Sequence, residues 1–255
     1  MQLSAGTVKK ISMELGGNAP FIVFESADLD KAVHGAFCSK FRASGQTCVS
    51  ANRFFVQSSI YERFIEKFKQ YIQKIIVIGD GLTPNVTLGP LINKRAVDKV
   101  HSMLSFGKYS KVDFLINEAK ANGARLIIGG TSHKMGENFY EPTLICDVTH
   151  DMKICDEEIF GPVATIVKFE KEEEALRMAN DCRSGLAAYF FSQDLAQIFR
   201  VSRHLEAGMI GVNEGIMSAC EIGFGGVKES GLGREGGHYG TEDYLNVKYV
   251  CLGGL

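Results

Sequence analysis

The chain has no apolar run approaching the length of a membrane-spanning helix. Nor does it carry a long run of one charge sign, and its formal net charge is -2. That balance argues against nucleic acid or an anionic membrane as the main partner. Its seven cysteines (Cys38, Cys48, Cys146, Cys155, Cys182, Cys220 and Cys251) are odd in number and include no Cys-x-x-Cys pair. They read as reduced thiols, not as a disulfide framework. The histidines are dispersed, so no His/Cys spacing points to zinc or another metal. Met1 is followed by neither a signal peptide nor a transit-type segment. These absences set the expectation of a soluble intracellular protein of the cytoplasm or mitochondrial matrix. What is present is core: 45% of 255 residues are hydrophobic, enough for one large domain or two small ones.

Apolar runs of strand length recur along the chain, at Ile11–Met13, Phe21–Phe24, Arg53–Gln57, Arg125–Ile128, Val163–Phe169, Ala188–Ser192 and Met209–Asn213. Another run is expected to end at Gly79-Asp80-Gly81. Helical spacing lies between several of them, over Leu29–Phe37, Phe64–Ile75, Ala96–Ala121, Glu172–Asn180 and Leu195–Glu206. Ser26 or Asp28 is placed to cap the first helix, and Ser59-x-x-Glu62 to form a capping box for the second. Strands alternating with helices predict an α/β fold with a mainly parallel sheet. The last segment, Tyr244–Leu252, reads as a strand without a following helix, an edge suited to recruiting a partner.

The sequence is organised around Phe41-Arg42-Ala43-Ser44-Gly45-Gln46-Thr47-Cys48. Gly45 supplies a left-handed turn to stop the preceding helix, which places Cys48 in a loop before a strand. Arg42 falls in the last helical turn, where a cation suits the helix dipole. Upstream, Met13-Glu14-Leu15-Gly16-Gly17-Asn18 sets a carboxylate beside two glycines that permit close backbone approach. A thiol of ordinary pKa is only slightly ionised at neutral pH, so a nucleophilic cysteine needs a nearby base. Gly231-Leu-Gly233-Arg-Glu-Gly236 fits G-x-G-x-x-G formally, yet its flanks are polar and turn-like, and no βαβ unit surrounds it.

Glu14-Leu-Gly-Gly and the Phe41 to Arg53 pattern Phe-x-x-x-Gly-Gln-x-Cys-x-x-x-x-Arg resemble the two signatures of the aldehyde dehydrogenase superfamily. Three further blocks follow in the family's order: Glu157-Glu-Ile-Phe-Gly-Pro-Val163, Gly185-Leu-Ala-Ala188 and Phe224-Gly-Gly-Val-Lys-Glu-Ser-Gly-Leu-Gly-Arg-Glu235. The nearest resemblance is to the branch that oxidises succinic semialdehyde. It implies an aldehyde dehydrogenase-like catalytic domain with a C-terminal oligomerisation strand, using NAD or NADP. The chain would match the C-terminal half of a family member: residues 1–24 a remnant of and join to the NAD-binding domain, 25–238 the catalytic domain, and 239–255 an oligomerisation tail. Relatives run shorter by about a dozen residues, one helix's worth, between Val100 and Asn117. A surface insertion and a retained intron both remain open there.

By the same resemblance Cys48 is the nucleophile and Glu14 the base that activates thiol and water. Cys48's own backbone N–H gives one oxyanion donor, and a side-chain amide from the other half gives the second. Glu158 and Phe160 match the residues that hold the nicotinamide ribose and flank its ring. Arg42 and Ser218 match the pair that binds the distal carboxylate of succinic semialdehyde, and Phe224 a wall of the substrate tunnel, preceded by Gly223 where relatives have proline. Arg53 braces the cysteine loop through backbone carbonyls. Ser50 leaves the nucleophile without a second thiol two residues on. The implied partners are a small-molecule aldehyde and further copies of the chain. Two alternatives remain: a coenzyme A-acylating enzyme, which commonly lacks a glutamate at position 14, and a non-catalytic oligomerising fragment.

Overall fold

The computed structural model describes residues 1–102 and 123–254. Its centre is a seven-stranded sheet in the order β4-β5-β6-β3-β2-β8-β9. The strands are β2 (Ala19–Val23), β3 (Ala51–Gln57), β4 (Arg125–Ile128), β5 (Thr143–Cys146), β6 (Val163–Phe169), β8 (Ala187–Phe191) and β9 (Met209–Val212). All neighbours pair parallel except β4, which runs antiparallel to β5 at the edge. Two short antiparallel ladders lie apart from this sheet: β1 (Met13–Glu14) with β11 (Gly231–Leu232), and β7 (Ser184–Gly185) with β10 (Val227–Lys228).

The central strands are apolar almost throughout because both faces are covered, as parallel sheets require. Side chains alternate between the faces. Phe21, Val23, Phe54, Val56, Ile166, Tyr189 and Phe191 join one buried cluster, with α1 (Leu29–Phe41) and α2 (Tyr61–Ile75). Ile22, Phe24, Phe55, Val167, Phe169 and Phe190 join the other, with α3 (Lys94–Ser102) and the helices Glu172–Asn180 and Leu195–His204. Phe21 meets Phe54 and Phe191 on its two neighbours, each at 5.1 Å between ring centroids. Such cross-strand aromatic pairs fix register as well as bury area.

Local chemistry explains where the helices start. Asp28 caps α1, its Oδ1 accepting from the backbone N–H of Asp30 and Lys31 at 3.1 Å each. Ser26 instead pairs with Ser192. The capping box expected at Ser59 does not form. A 3-10 turn over Ser58–Ile60 delays α2 to Tyr61, and the Ser59 hydroxyl donates to Glu25. The strand expected before Gly79 is reduced to one bridge, Ile78 to Leu88.

The helix expected over Ala96–Ala121 begins as α3; from residue 103 onward, including most of His101–Leu115, it lies outside the described residues. Among the described residues the tail after Tyr244 is in no ladder, and Leu245, Val247, Tyr249, Val250 and Leu252 are exposed. A strand is defined by a hydrogen-bonded neighbour, and this chain alone offers the tail none. No helix among the described residues is long and apolar enough to cross a membrane.

Candidate active site

α1 ends at Phe41, one residue earlier than the placement of Arg42 in its last turn requires. Arg42 is extended (φ -53°, ψ 135°) and exposed, so the helix dipole does not hold it. A left-handed run follows, Ala43, Ser44 and Gly45, and only the last is glycine. The need for glycine at 45 is steric: a Cβ there would lie 2.2 Å from the Gly161 carbonyl oxygen. Cys48 then sits half-buried in the turn before β3, which closes through Ser50 N–H to Thr47 carbonyl (3.0 Å). Tyr189 on β8 donates its hydroxyl to the Val49 carbonyl at 2.8 Å, tying the turn to the sheet.

Glu14 arrives from the other side of the chain. β1 is held by β11, with Glu14 opposite Gly231, and the Ser230 hydroxyl donates to the Gly16 carbonyl at 2.8 Å. Gly231 takes φ 146°, and a Cβ on it would clash with the Met13 carbonyl at 1.9 Å. The glycines of the formal G-x-G-x-x-G thus allow this hairpin to close on β1. Gly17 lies directly on the cysteine turn: a Cβ would come 2.3 Å from the Cys48 carbonyl oxygen. This contact joins the two motifs.

Both carboxylate oxygens of Glu14 are buried without a hydrogen-bond partner among the described residues. Burial raises its pKa and the Glu235 charge adds to the rise, while Arg234 opposes it. The Cys48 thiol is also pushed up, first by burial, then by the carboxylates of Glu158 and Glu14. The backbone N–H groups of Cys48 and Val49 pull in the opposite direction. Burial thus works against the thiolate, and the lone pairs of Glu14 are unspent.

Glu158 rests on the double glycine. Gly17 N–H donates to its Oε1 at 3.1 Å, and its Oε2 is 2.7 Å from where a Cβ on Gly16 would stand. Burial raises its pKa, opposed by the Gly17 N–H, Lys99 and Lys40. Lys99 Nζ also donates to the Glu158 carbonyl at 2.8 Å. Two residues on, Phe160 adopts φ 57°, a costly conformation for a bulky side chain, and its ring is 38% exposed. The backbone thus presents an aromatic face next to a seated carboxylate.

Arg42 and Ser218 come together. They line one small cleft with Cys38, Thr47, Val49 and Met217, so that cleft reaches the residues on both sides of Cys48. Phe224 packs against the same buried cluster as Cys48 and Val49. Its backbone bonds Glu235 in both directions, at 2.6 and 2.7 Å. Gly223 lies under the Tyr239 ring.

Arg53 does brace backbone carbonyls, but not those of the cysteine loop. Its three donating nitrogens reach Asn18, Met178 and Ala179 at 3.0, 2.9 and 2.9 Å. β3 turns Arg53 to the face away from α1. Sequence reasoning missed Tyr189 and Lys40. Lys40 carries a signal: with Val33 and Ala36 it completes a helical stripe that faces the core.

Residues 1–250 match the aldehyde dehydrogenase family. The chain is 54% identical over 252 residues to the mitochondrial succinate-semialdehyde dehydrogenase of Mus musculus, covering 99% of this chain and 46% of that one. With the NADP(+) succinate-semialdehyde dehydrogenase of Escherichia coli it shares 50% over 253 residues, covering 99% and 50%. The crystal structure of succinate-semialdehyde dehydrogenase from Burkholderia pseudomallei superposes with a TM-score of 0.92 at 50% identity, over 99% of this chain and 50% of that one. The chain spans about half the length of the relatives it matches.

Proposed function

The chain belongs to the aldehyde dehydrogenase family, and from that premise we propose that it is the catalytic part of an NAD(P)-dependent enzyme oxidising succinic semialdehyde to succinate. The observation that carries the substrate is the convergence of Arg42 and Ser218 in a cleft flanking Cys48. A guanidinium and a hydroxyl there suit a distal carboxylate, while the aldehyde end reaches the thiol. The names of the mouse and E. coli relatives support the same substrate.

In this reading Glu14 takes the Cys48 proton as sulfur bonds to the aldehyde carbon. The carbonyl oxygen gathers negative charge, which the Cys48 backbone N–H stabilises. Glu158 accepts hydrogen bonds from the ribose of the nicotinamide cofactor, and Phe160 flanks the ring. A seated carboxylate and an exposed aromatic fit that end of NAD or NADP. The bound cofactor supplies a hydride acceptor. Once Glu14 has released the thiol proton to solvent, its carboxylate draws a proton from the water that cleaves the Cys48 thioester. A carboxylate placed for water favours hydrolysis over transfer to coenzyme A.

Residues 1–24 join the catalytic unit 25–238 and supply Glu14 and the sheet strand β2 to it, and 239–255 form an assembly tail whose exposed apolar residues suit pairing with another copy. The mitochondrial name of the mouse relative supports a mitochondrial location. The test joins this chain to the amino-terminal half of the E. coli relative. Cys48→Ala is expected to abolish oxidation of succinic semialdehyde. Glu14→Gln is expected to leave an acyl group on Cys48, seen by intact mass. Hydrolysis at the parent rate in Glu14→Gln would remove Glu14 from the role.

A further inference from the structure

β8 carries three aromatic residues in a row, Tyr189, Phe190 and Phe191, and the first alone has a hydroxyl. Tyr189 and Phe191 share the sheet face that packs on α1 and α2. There the Phe21 ring centroid lies 6.0 Å from that of Tyr189 and 5.1 Å from that of Phe191. A phenylalanine would fill the same space, so packing leaves the oxygen at 189 unexplained. β9 makes room for the ring: a Cβ on Gly211, its register partner, would lie 3.0 Å from Tyr189 Cδ1. Tyr189 is 1% exposed. A phenol that deep needs a partner, and this one donates to the Val49 carbonyl at 2.8 Å. Burial pushes its pKa up, so the hydroxyl stays a donor throughout the neutral range.

Val49 follows Cys48, and the turn they share is held from three sides. Ser50 N–H closes it onto the Thr47 carbonyl at 3.0 Å, and Gly17 lies against the Cys48 carbonyl. Tyr189 adds the tie from the sheet. The Ser50 hydroxyl, buried in the same turn, finds no partner among the described residues and adds no tie. Tyr189 also lines the cleft of Arg42 and Ser218, together with Thr47 and Val49 of the turn and 215–218 of the loop after β9. One residue thus belongs both to the wall of that cleft and to the support of the cysteine turn.

Resting on the reading of Cys48 as the nucleophile, we infer that Tyr189 is a positioning residue: through the Val49 carbonyl it fixes the Cys48 turn relative to the cleft of Arg42 and Ser218. Its hydroxyl is engaged by backbone and acts on the reaction through the turn. It sets where the sulfur stands once a distal carboxylate is gripped. A turn freed from the sheet carries the sulfur out of line with an aldehyde carbon whose far end is fixed. Misplacing a reacting atom slows bond formation without weakening the grip. The loss therefore falls on the rate at saturating substrate and leaves half-saturation in place.

The experiment uses the chain joined to the amino-terminal half of the E. coli relative and the variant Tyr189→Phe, which keeps the ring and its packing. The single-turnover rate at saturating succinic semialdehyde is expected to fall about fivefold, the factor equivalent to one neutral hydrogen bond. Half-saturation should not move. Butanal, with no carboxylate to fix its far end, follows the sulfur and should lose less. In the same variant the Ser50 amide should exchange with deuterium about fivefold faster, while the amides of β3 and β8 keep the parent rate. A slower turnover with unmoved Ser50 exchange, a raised half-saturation with unmoved rate, or equal losses for the two aldehydes overturns the proposal. Cys48→Ala, measured alongside, separates the two readings. If Tyr189→Phe loosens the turn while Cys48→Ala still oxidises the aldehyde, the nucleophile reading falls and Tyr189 is left a structural tie. If Cys48→Ala is inactive while Tyr189→Phe keeps the parent exchange and rate, the nucleophile reading stands and the positioning role falls.

Discussion

Asn52 and Arg53 are neighbours on β3, and the sheet sends their side chains to opposite faces, one to another side chain and the other to backbone. On one face Arg53 spends its three donating nitrogens on the carbonyls of Asn18, Met178 and Ala179. On the other, Asn52 gives the Lys40 ammonium its one hydrogen bond among the described residues. Both cations are buried, but they differ in what they hold. Arg53 gives one hydrogen bond from each of its three nitrogens to backbone and locks the β2 start to the end of the Glu172–Asn180 helix. Lys40 is anchored on a single side-chain amide, and burial lowers its pKa to about 7. The contrast separates a cation spread over two backbone segments from one held at a single point.

Arg53→Met tests the first half of that contrast and should have the largest effect. Three buried carbonyls lose their donor, so urea unfolding should show a loss of about 3–5 kcal/mol. A loss under about 1 kcal/mol would mean that the carbonyls find other donors and Arg53 is no keystone.

Arg42→Ala extends the comparison to an exposed cation in the cleft. In the chain joined to a relative's amino-terminal half, kcat/KM for succinic semialdehyde should fall at least about 30-fold, the lower end for a charge pair losing one partner. Butanal, lacking the carboxylate, should be affected much less; equal losses would show Arg42 supporting the loop and reading nothing.

Lys40→Met sharpens the second half through its pH dependence. Because the folded-state pKa of Lys40 lies below its unfolded value, the unfolded chain binds more protons between about 7 and the ordinary lysine range. Parent stability should therefore rise with pH relative to Lys40→Met, by about 1 kcal/mol per unit above pH 7. Parallel denaturation curves at pH 7 and 9 would contradict burial of a titrating amine. The smallest effect is expected from Tyr189→Phe, which removes the donor to the Val49 carbonyl and should cost about 1 kcal/mol in thermal melts.

Much of the fold was legible because burial on both faces leaves an unbroken apolar record. Val163–Phe169, Arg125–Ile128 and Glu172–Asn180 occupy the limits their patterns predict. β5 was missed since Thr143-Leu-Ile-Cys146 is short and follows a proline, with no alternation to mark it. The tail carries an apolar run that encodes an appetite for pairing, and this chain alone supplies no neighbour for it. In the site, Glu14 and Cys48 stood out by their glycines, whose close approaches now have distances. Lys40 did not, since a lysine reads as a surface residue unless its place on the stripe of Val33 and Ala36 is weighed. The reach of Arg53 depended on which way β3 faces its side chains, and that is set by pairing across the whole sheet.

The ladder of β1 with β11 bears on how such a site comes into being. Glu14 precedes Cys48 in the chain, yet its seat against Gly231 and Gly225 is furnished by the last stretch before the tail. On the ribosome Cys48 therefore emerges, and its strand can begin to pair, long before the segment that seats Glu14 exists. Contacts this distant in sequence form late, after the local helices and the central strands. The nascent chain thus carries the Cys48 thiol before Glu14 is seated, and the two come together as one of the closing acts of folding.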